Sequence, residues 1–290
     1  MSGCVELELG ESLSRRACAV VIKHIIKFIA YNNQQIPYTY DGFQQLVVKK
    51  RRLSALGDGE PRSSNPLSFK QIRANTFYDK IETIYNSFET TFRCIEDELV
   101  TGNVVNEILV ILGATIASPK HLYRIQIPEL SGRDECDKRI RSHLFKIYRS
   151  IVSSGSNQFS GKCSGLTNIF ILINGDCKPS VESGWFIPKF DFRVSVSASQ
   201  TLIKFVEPSR TISEMETCES VQTKSEHHCC DSDNSNRCDN VSPSINHHAS
   251  KVQKESTIAK WYLAKQALSG FQDMKIDGVS VYNVLSGFDS

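Results

Sequence analysis

Five consecutive aliphatic residues, Ile108-Leu-Val-Ile-Leu112, stand between Asn106-Glu107 and Gly113. A short apolar run bounded by breakers is the signature of a buried strand, so the chain must build a sheet and cover it. His121 to Ile127 alternates apolar and polar side chains and predicts a second strand. Gly113 to Pro119 would join the two as a hairpin loop. Three further strands are expected at Thr167 to Ile173, Trp185 to Val194 and Gln200 to Val206, with turns at Asp176 to Pro179 and Ser195 to Ser199.

The cover should be helical. Residues 12 to 33 place Leu13, Ala17, His24, Ile25, Phe28 and Ile29 at spacings of three and four, the pattern of an amphipathic or largely buried helix that ends before Pro37. A short helix is expected from Tyr40 to Lys50, followed by a Gly- and Pro-rich loop from Arg51 to Pro66. A long helix should run from Ser68 to Leu99, stopped by Gly102 and Asn103. Residues 135 to 152 form the next, with Ile140, Leu144, Ile147 and Ile151 on one face. Phe145 and Tyr148 fall on its flank, too apolar for an ordinary solvated edge.

Helices first and then strands, with one helix between, indicate an α+β domain whose antiparallel sheet is covered by helices on one face. The expected division is an N-terminal tail over 1–11, a core over 12–206, a disordered polar loop over 207–255 and an ordered C-terminal segment and tail over 256–290. The polar loop is rich in Ser, Asn, Asp, His and Cys and too poor in apolar residues to offset chain entropy. Beyond it, Trp261 and Tyr262 are anchors for a segment that needs something to dock against.

Chemistry of the catalytic kinds is thin. There is no Gly-x-Ser-x-Gly and no His-Glu-x-x-His, and Gly155-Ser-Asn-Gln-Phe-Ser-Gly161-Lys-Cys163 misses the phosphate-loop pattern by its spacing and its final Cys. His227-His-Cys-Cys230 with Cys238, His247 and His248 offers zinc-type ligands without zinc-type spacing, which leaves open a polar loop or some metal affinity. Lys49-Lys-Arg-Arg52 reads as a favourable charge at a helix end or as a nuclear-import or acidic-surface contact. Lone His24, His121 and His143 are expected to be structural, and Cys18 and Cys94 to be small core residues. With 34 basic against 32 acidic side chains, net charge gives no ground for a nucleic-acid or membrane partner. The start of the chain lacks a secretory pattern, so an intracellular protein with mostly reduced thiols is expected.

Four stretches together resemble one family. Lys27-Phe-Ile-Ala-Tyr-Asn-Asn-Gln-Gln-Ile-Pro37 is similar to the end of the first helix in the comet family, adaptors of the mitotic-arrest-deficient checkpoint protein. Ile108 to Gly113 with Ala117-Ser-Pro-Lys120 and Leu122-Tyr123 resembles its first strand and hairpin. Leu144-Phe145-Lys146 falls where its third helix carries a Leu-Phe-basic triplet, and Trp185-Phe-Ile-Pro-Lys-Phe-Asp-Phe-Arg-Val194 resembles its Trp-Phe-x-Pro-Lys strand.

The resemblance implies a HORMA-like fold, three helices over a sheet closed by a C-terminal belt, and a non-catalytic adaptor without a cofactor. Such an adaptor recognises the closed conformer of the checkpoint HORMA protein and presents it to a hexameric AAA+ ATPase, which returns it to the open form and silences the spindle checkpoint. By residue, the resemblance implies partner contacts at Phe145, Leu144, Tyr148 and Asn32, and ATPase contacts at Pro188 and Lys189. It also implies a place in nucleus and cytoplasm, at kinetochores or on meiotic chromosomes. Three alternatives stay beside it: a meiotic adaptor for chromosome-axis HORMA proteins, a zinc- or thiol-dependent enzyme, and a HORMA protein that clasps a peptide of another protein.

Overall fold

The computed structural model describes residues 2–9, 11–57, 69–101, 103–132, 135–153, 159, 165–175, 184–195, 198–206, 260–276 and 278–280. Ser14 starts the first helix: its backbone is extended and its hydroxyl accepts the Ala17 N–H, capping α1 (Arg15–Asn32). Half of α1 is buried, including Val21, Ile22, Ile25, Ile26 and Ile29, because other helices pack around it over the sheet. These are α2 (Tyr40–Gly57), α3 (Phe69–Val100) and α4 (Asp137–Ser153). α2 continues through Arg51–Gly57, where a loop was expected, and 58–68 lie outside the described residues.

The strands are β1 (Ser2–Glu8), β2 (Val105–Thr115), β3 (Ser118–Gln126), β4 (Asn168–Gly175), β5 (Phe186–Pro188), β6 (Ser199–Val206), β7 (Trp261–Ala264), β8 (Leu268–Ser269), β9 (Lys275–Ile276) and β10 (Val279–Ser280). The main sheet runs β1-β6-β3-β2-β4-β7-β5, with β8 beside β4, while β9 and β10 form a separate hairpin. It is a mixed sheet, where an antiparallel one was expected: β6 lies parallel to both β3 and β1. The N-terminal residues expected as a tail supply β1, which buries Val5 and Leu7. The β2–β3 connection tightens to Ile116-Ala117, and the strand expected over 185–194 stops at Pro188, which has no N–H for a ladder.

Side chains of β2 alternate between two apolar layers. Ile108, Val110 and Leu112 join the helices, whereas Leu109 and Ile111 join Leu122, Leu172 and Trp261. Phe192, Val194 and Ala198, between β5 and β6, cover that second layer, and Phe192 meets Trp261 edge-on at 5.5 Å. Among the described residues, four helices therefore lie on one face, and an irregular segment lies on the other.

A buried polar hub fixes the end of α1. The Gln34 N–H bonds to Tyr31 O and the Gln35 N–H reaches back to Ala30 O, each at 2.9 Å, a Schellman closure with Gln34 in the left-handed position at φ 55°. Fully buried Asn33 donates to Ile29 O, Tyr123 Oη and Phe159 O. Equally buried Gln35 donates to Asn33 O and Gly165 O and accepts the Thr167 N–H at 2.7 Å. Its carbonyl accepts the Phe271 N–H, which ties the C-terminal segment to α1.

Gly270 makes that tie possible, since a Cβ there would stand 2.5 Å from Gln35 O. Gly270→Ala is expected to lower stability by about 1–3 kcal/mol, read as a shift of the urea midpoint at unchanged slope. An unshifted midpoint would show that the segment is not held against α1.

Candidate functional site

α4 turns Ile140, His143, Ile147, Ser150 and Ile151 inward. It is anchored at the β1 edge, where Ser150 Oγ accepts the Glu8 N–H. The opposite side of the helix exposes Phe145 (71%), Tyr148 (38%) and Val152 (73%), spaced i, i+3 and i+7 and hence aligned along one ridge. Phe145 is not a core residue. Leu144, about 100° around the helix from it, is half-buried and packs against the core.

Tyr148 is braced from beneath. Its hydroxyl shares a 2.7 Å hydrogen bond with His24 Nδ1 of α1, and the rings meet edge-on at 5.9 Å. Burial, and after it the Lys27 charge, lowers the His24 pKa to about 4, so the ring is neutral near pH 7. Burial above all, with Asp41 adding to it, raises the Tyr148 phenol. Lys27 stands 4.2 Å over the Tyr40 ring, whose hydroxyl donates to Glu89 at 2.6 Å. Burial lowers the Lys27 pKa, against the pull of Glu89 and Asp41.

His24, Lys27, Tyr31, Tyr40, Asp41 and Tyr148 line a hollow of about 250 Å³ between α1, the start of α2 and α4. Tyr31, 40% exposed, also lines a second hollow of about 470 Å³ with Asn32, Gln34, Gln272 and Asp273. Asn32 sits in the last turn of α1 with a buried Nδ2 that has no partner among the described residues. Tyr38 donates to Asp273 nearby. The structure thus brings Phe145 and Tyr148 onto one surface and links Asn32 to it through Tyr31.

Pro188 and Lys189 lie elsewhere, at the β5 edge. Both are exposed, the Lys189 N–H bonds to Trp261 O at 2.7 Å, and Ile187 and Phe190 beside them are 43% and 77% exposed. Seven strands across the sheet leave about 29 Å between β1 and β5, at about 4.8 Å per step.

Other expectations resolve locally. Lys50 and Arg51 do not end a helix but pair across to α3: Lys50 with Asp79 and Glu82, Arg51 with Glu82. His121 bonds Thr201 Oγ1 at 2.9 Å, and His143 Nε2 lies 3.1 Å from the Glu135 carboxylate. His24 belongs to the candidate site. Val152 was also missed, although its position seven residues after Phe145 was a usable signal. Cys18 and Cys94 are buried. Of the Gly155–Cys163 stretch, Phe159 alone is described, and His227 to His248 lie outside the described residues. Among the described residues no three His, Cys, Asp or Glu side chains could hold a metal, and no helix is long and apolar enough to cross a membrane.

The exposed aromatic ridge on α4 makes this face of the domain a candidate protein-binding surface. The chain belongs to the p31comet family, whose description is "Mad1 and Cdc20-bound-Mad2 binding"; the family match covers residues 3–218. Comparison with curated proteins finds no match.

The depressed His24 pKa carries a sign. An unfolded imidazole takes its proton near pH 6.5, the folded one only near 4, so unfolding gains a proton between these values. This contribution to stability is complete above about pH 6.5 and is lost as pH falls toward 4. His24→Gln should therefore show a smaller drop in thermal midpoint than the parent between pH 7 and pH 5; equal drops would contradict a buried neutral His24.

Proposed function

We propose that the chain is a non-catalytic adaptor with a HORMA-like fold that grips the closed, Cdc20-bound conformer of Mad2 through the α4 ridge. The observation that carries this reading is the Phe145 ring, 71% exposed on a helix whose inward face is already filled by aliphatic residues. A family described by binding to Cdc20-bound Mad2 needs such a grip, and an adaptor can favour one conformer only by contacting it more strongly than the other.

A second arm extends the proposal. Pro188 and Lys189, at the far edge of the sheet, would engage a hexameric AAA+ ATPase, which supplies the energy for converting Mad2 to its open form and so silences the checkpoint. The separation of the two edges supports simultaneous binding of both partners. Meiotic chromosome-axis HORMA proteins are a second client class for the same surface, and nucleus, cytoplasm and kinetochore are the compartments in which it would act. The peptide-clasping alternative is disfavoured by β7, because the chain's own residues pair with both β4 and β5. That leaves no free β4 edge for a foreign strand on this side.

Phe145→Ala should weaken binding to Mad2 loaded with its Cdc20 segment by about 30-fold or more, as truncation of a buried aromatic anchor does, without moving the thermal midpoint. Lys189→Ala should leave that affinity unchanged and slow ATPase-driven conversion. Unchanged affinity in the first variant would remove α4 from the interface, and normal conversion in the second would remove Lys189.

A further inference from the structure

The ridge of α4 has a charge pattern that the net charge conceals. From Lys138 to Ser153 the helix carries five cations, Lys138, Arg139, Arg141, Lys146 and Arg149, and no carboxylate, in a chain whose overall charge is +2. Arg139 pairs with Glu11, and the helix's lone acid, Asp137, pairs with Arg16. Lys138, Arg141, Lys146 and Arg149 are exposed, and no carboxylate pairs with them among the described residues.

Their placement on the helix matters more than their number. Arg141 precedes Phe145 by four residues and Arg149 follows it by four, so each stands one turn from the ring on the same face. Lys138 lies seven residues before Phe145 and Val152 seven after. The outward side is therefore a line of cation, aromatic, cation, with the two guanidinium bases about 12 Å apart along the axis.

Resting on the docking reading above, we propose that α4 docks on an acidic protein surface, in which a recess for Phe145 is flanked on both sides by carboxylates that meet Arg141 and Arg149. Guanidinium groups suit this task because their planar fork matches a carboxylate with two hydrogen bonds. The occupant is a protein because the family match describes binding to Mad2. Cations interleaved with apolar side chains also suit single-stranded nucleic acid or an anionic membrane, which makes those two the competing outcomes of the test. Rim charges of this kind act mainly on the rate of encounter, whereas the buried ring acts on the lifetime of the complex.

The test measures association and dissociation rates of the full chain with Mad2 loaded with its Cdc20 segment, at 50 and 300 mM NaCl. The parent should associate about tenfold more slowly at the higher salt. Arg141→Glu with Arg149→Glu should associate at least about tenfold more slowly at 50 mM and lose that salt dependence, and the uncharged Arg141→Gln with Arg149→Gln should fall between. Phe145→Ala should instead speed dissociation. Parent association indifferent to salt, with a double Glu variant that binds as the parent does, would overturn the acidic-surface inference while leaving the Phe145 grip intact. An unaffected Phe145→Ala would sink the grip itself. Loss of binding to single-stranded DNA or phosphatidylserine vesicles in the double Glu variant, with Mad2 association unchanged, would also overturn the inference.

Discussion

Asn33 and Gln35 hold the molecule together at the point where its parts meet. Each is a polar side chain with no exposure to water whose donors find carbonyl or hydroxyl acceptors on separate parts of the chain, while Asn33 Oδ1 has no partner among the described residues. Through them the end of α1 is bound to β3, to Phe159, to the start of β4 and, by way of Gln35 O, to the C-terminal Phe271. Loss of the hub would release the Phe271 end of the C-terminal segment, beyond its β7 and β8 pairing, together with the last turn of α1, and that turn carries Tyr31 and Asn32.

The hub positions the candidate site indirectly. α1 buries half of its residues against the sheet and the other helices, so His24, Lys27 and Tyr31 on its outer side are held in a fixed relation to the sheet. Tyr148 is then held by His24, and Phe145 is set by an α4 whose inward face is filled and whose Ser150 meets β1. Tyr148, held in this way, loses little side-chain freedom when a partner closes over it. Pro188 and Lys189 owe their position to another constraint, the pairing of β5 with the C-terminal β7.

Much of this was legible in the sequence, for identifiable reasons. Helical spacing found α1, α3 and α4, since apolar periodicity over many turns leaves few alternatives. Phe145 was legible because an aromatic residue stood where the helix had already filled its inward face. β1 was not, because its alternation of Val5, Leu7 and Leu9 is short and interleaved with acidic residues that resemble a solvated tail. The parallel pairing of β6 was equally hidden: strand direction is set by contacts far apart in the chain. The hub was illegible for a subtler reason. Asn-Asn-Gln-Gln reads as a polar turn, and nothing local says that two of its members are sealed inside. His24 and Tyr31 were missed because the site they complete is assembled from three helices.

Hydrogen–deuterium exchange of the full chain, alone and saturated with Cdc20-loaded Mad2, tests the central claim most directly. New protection is expected in α4 around residues 145–152 and at the end of α1, with β5 and Lys189 left exchanging as before. Protection confined to the β5 edge, with α4 unchanged, would contradict it.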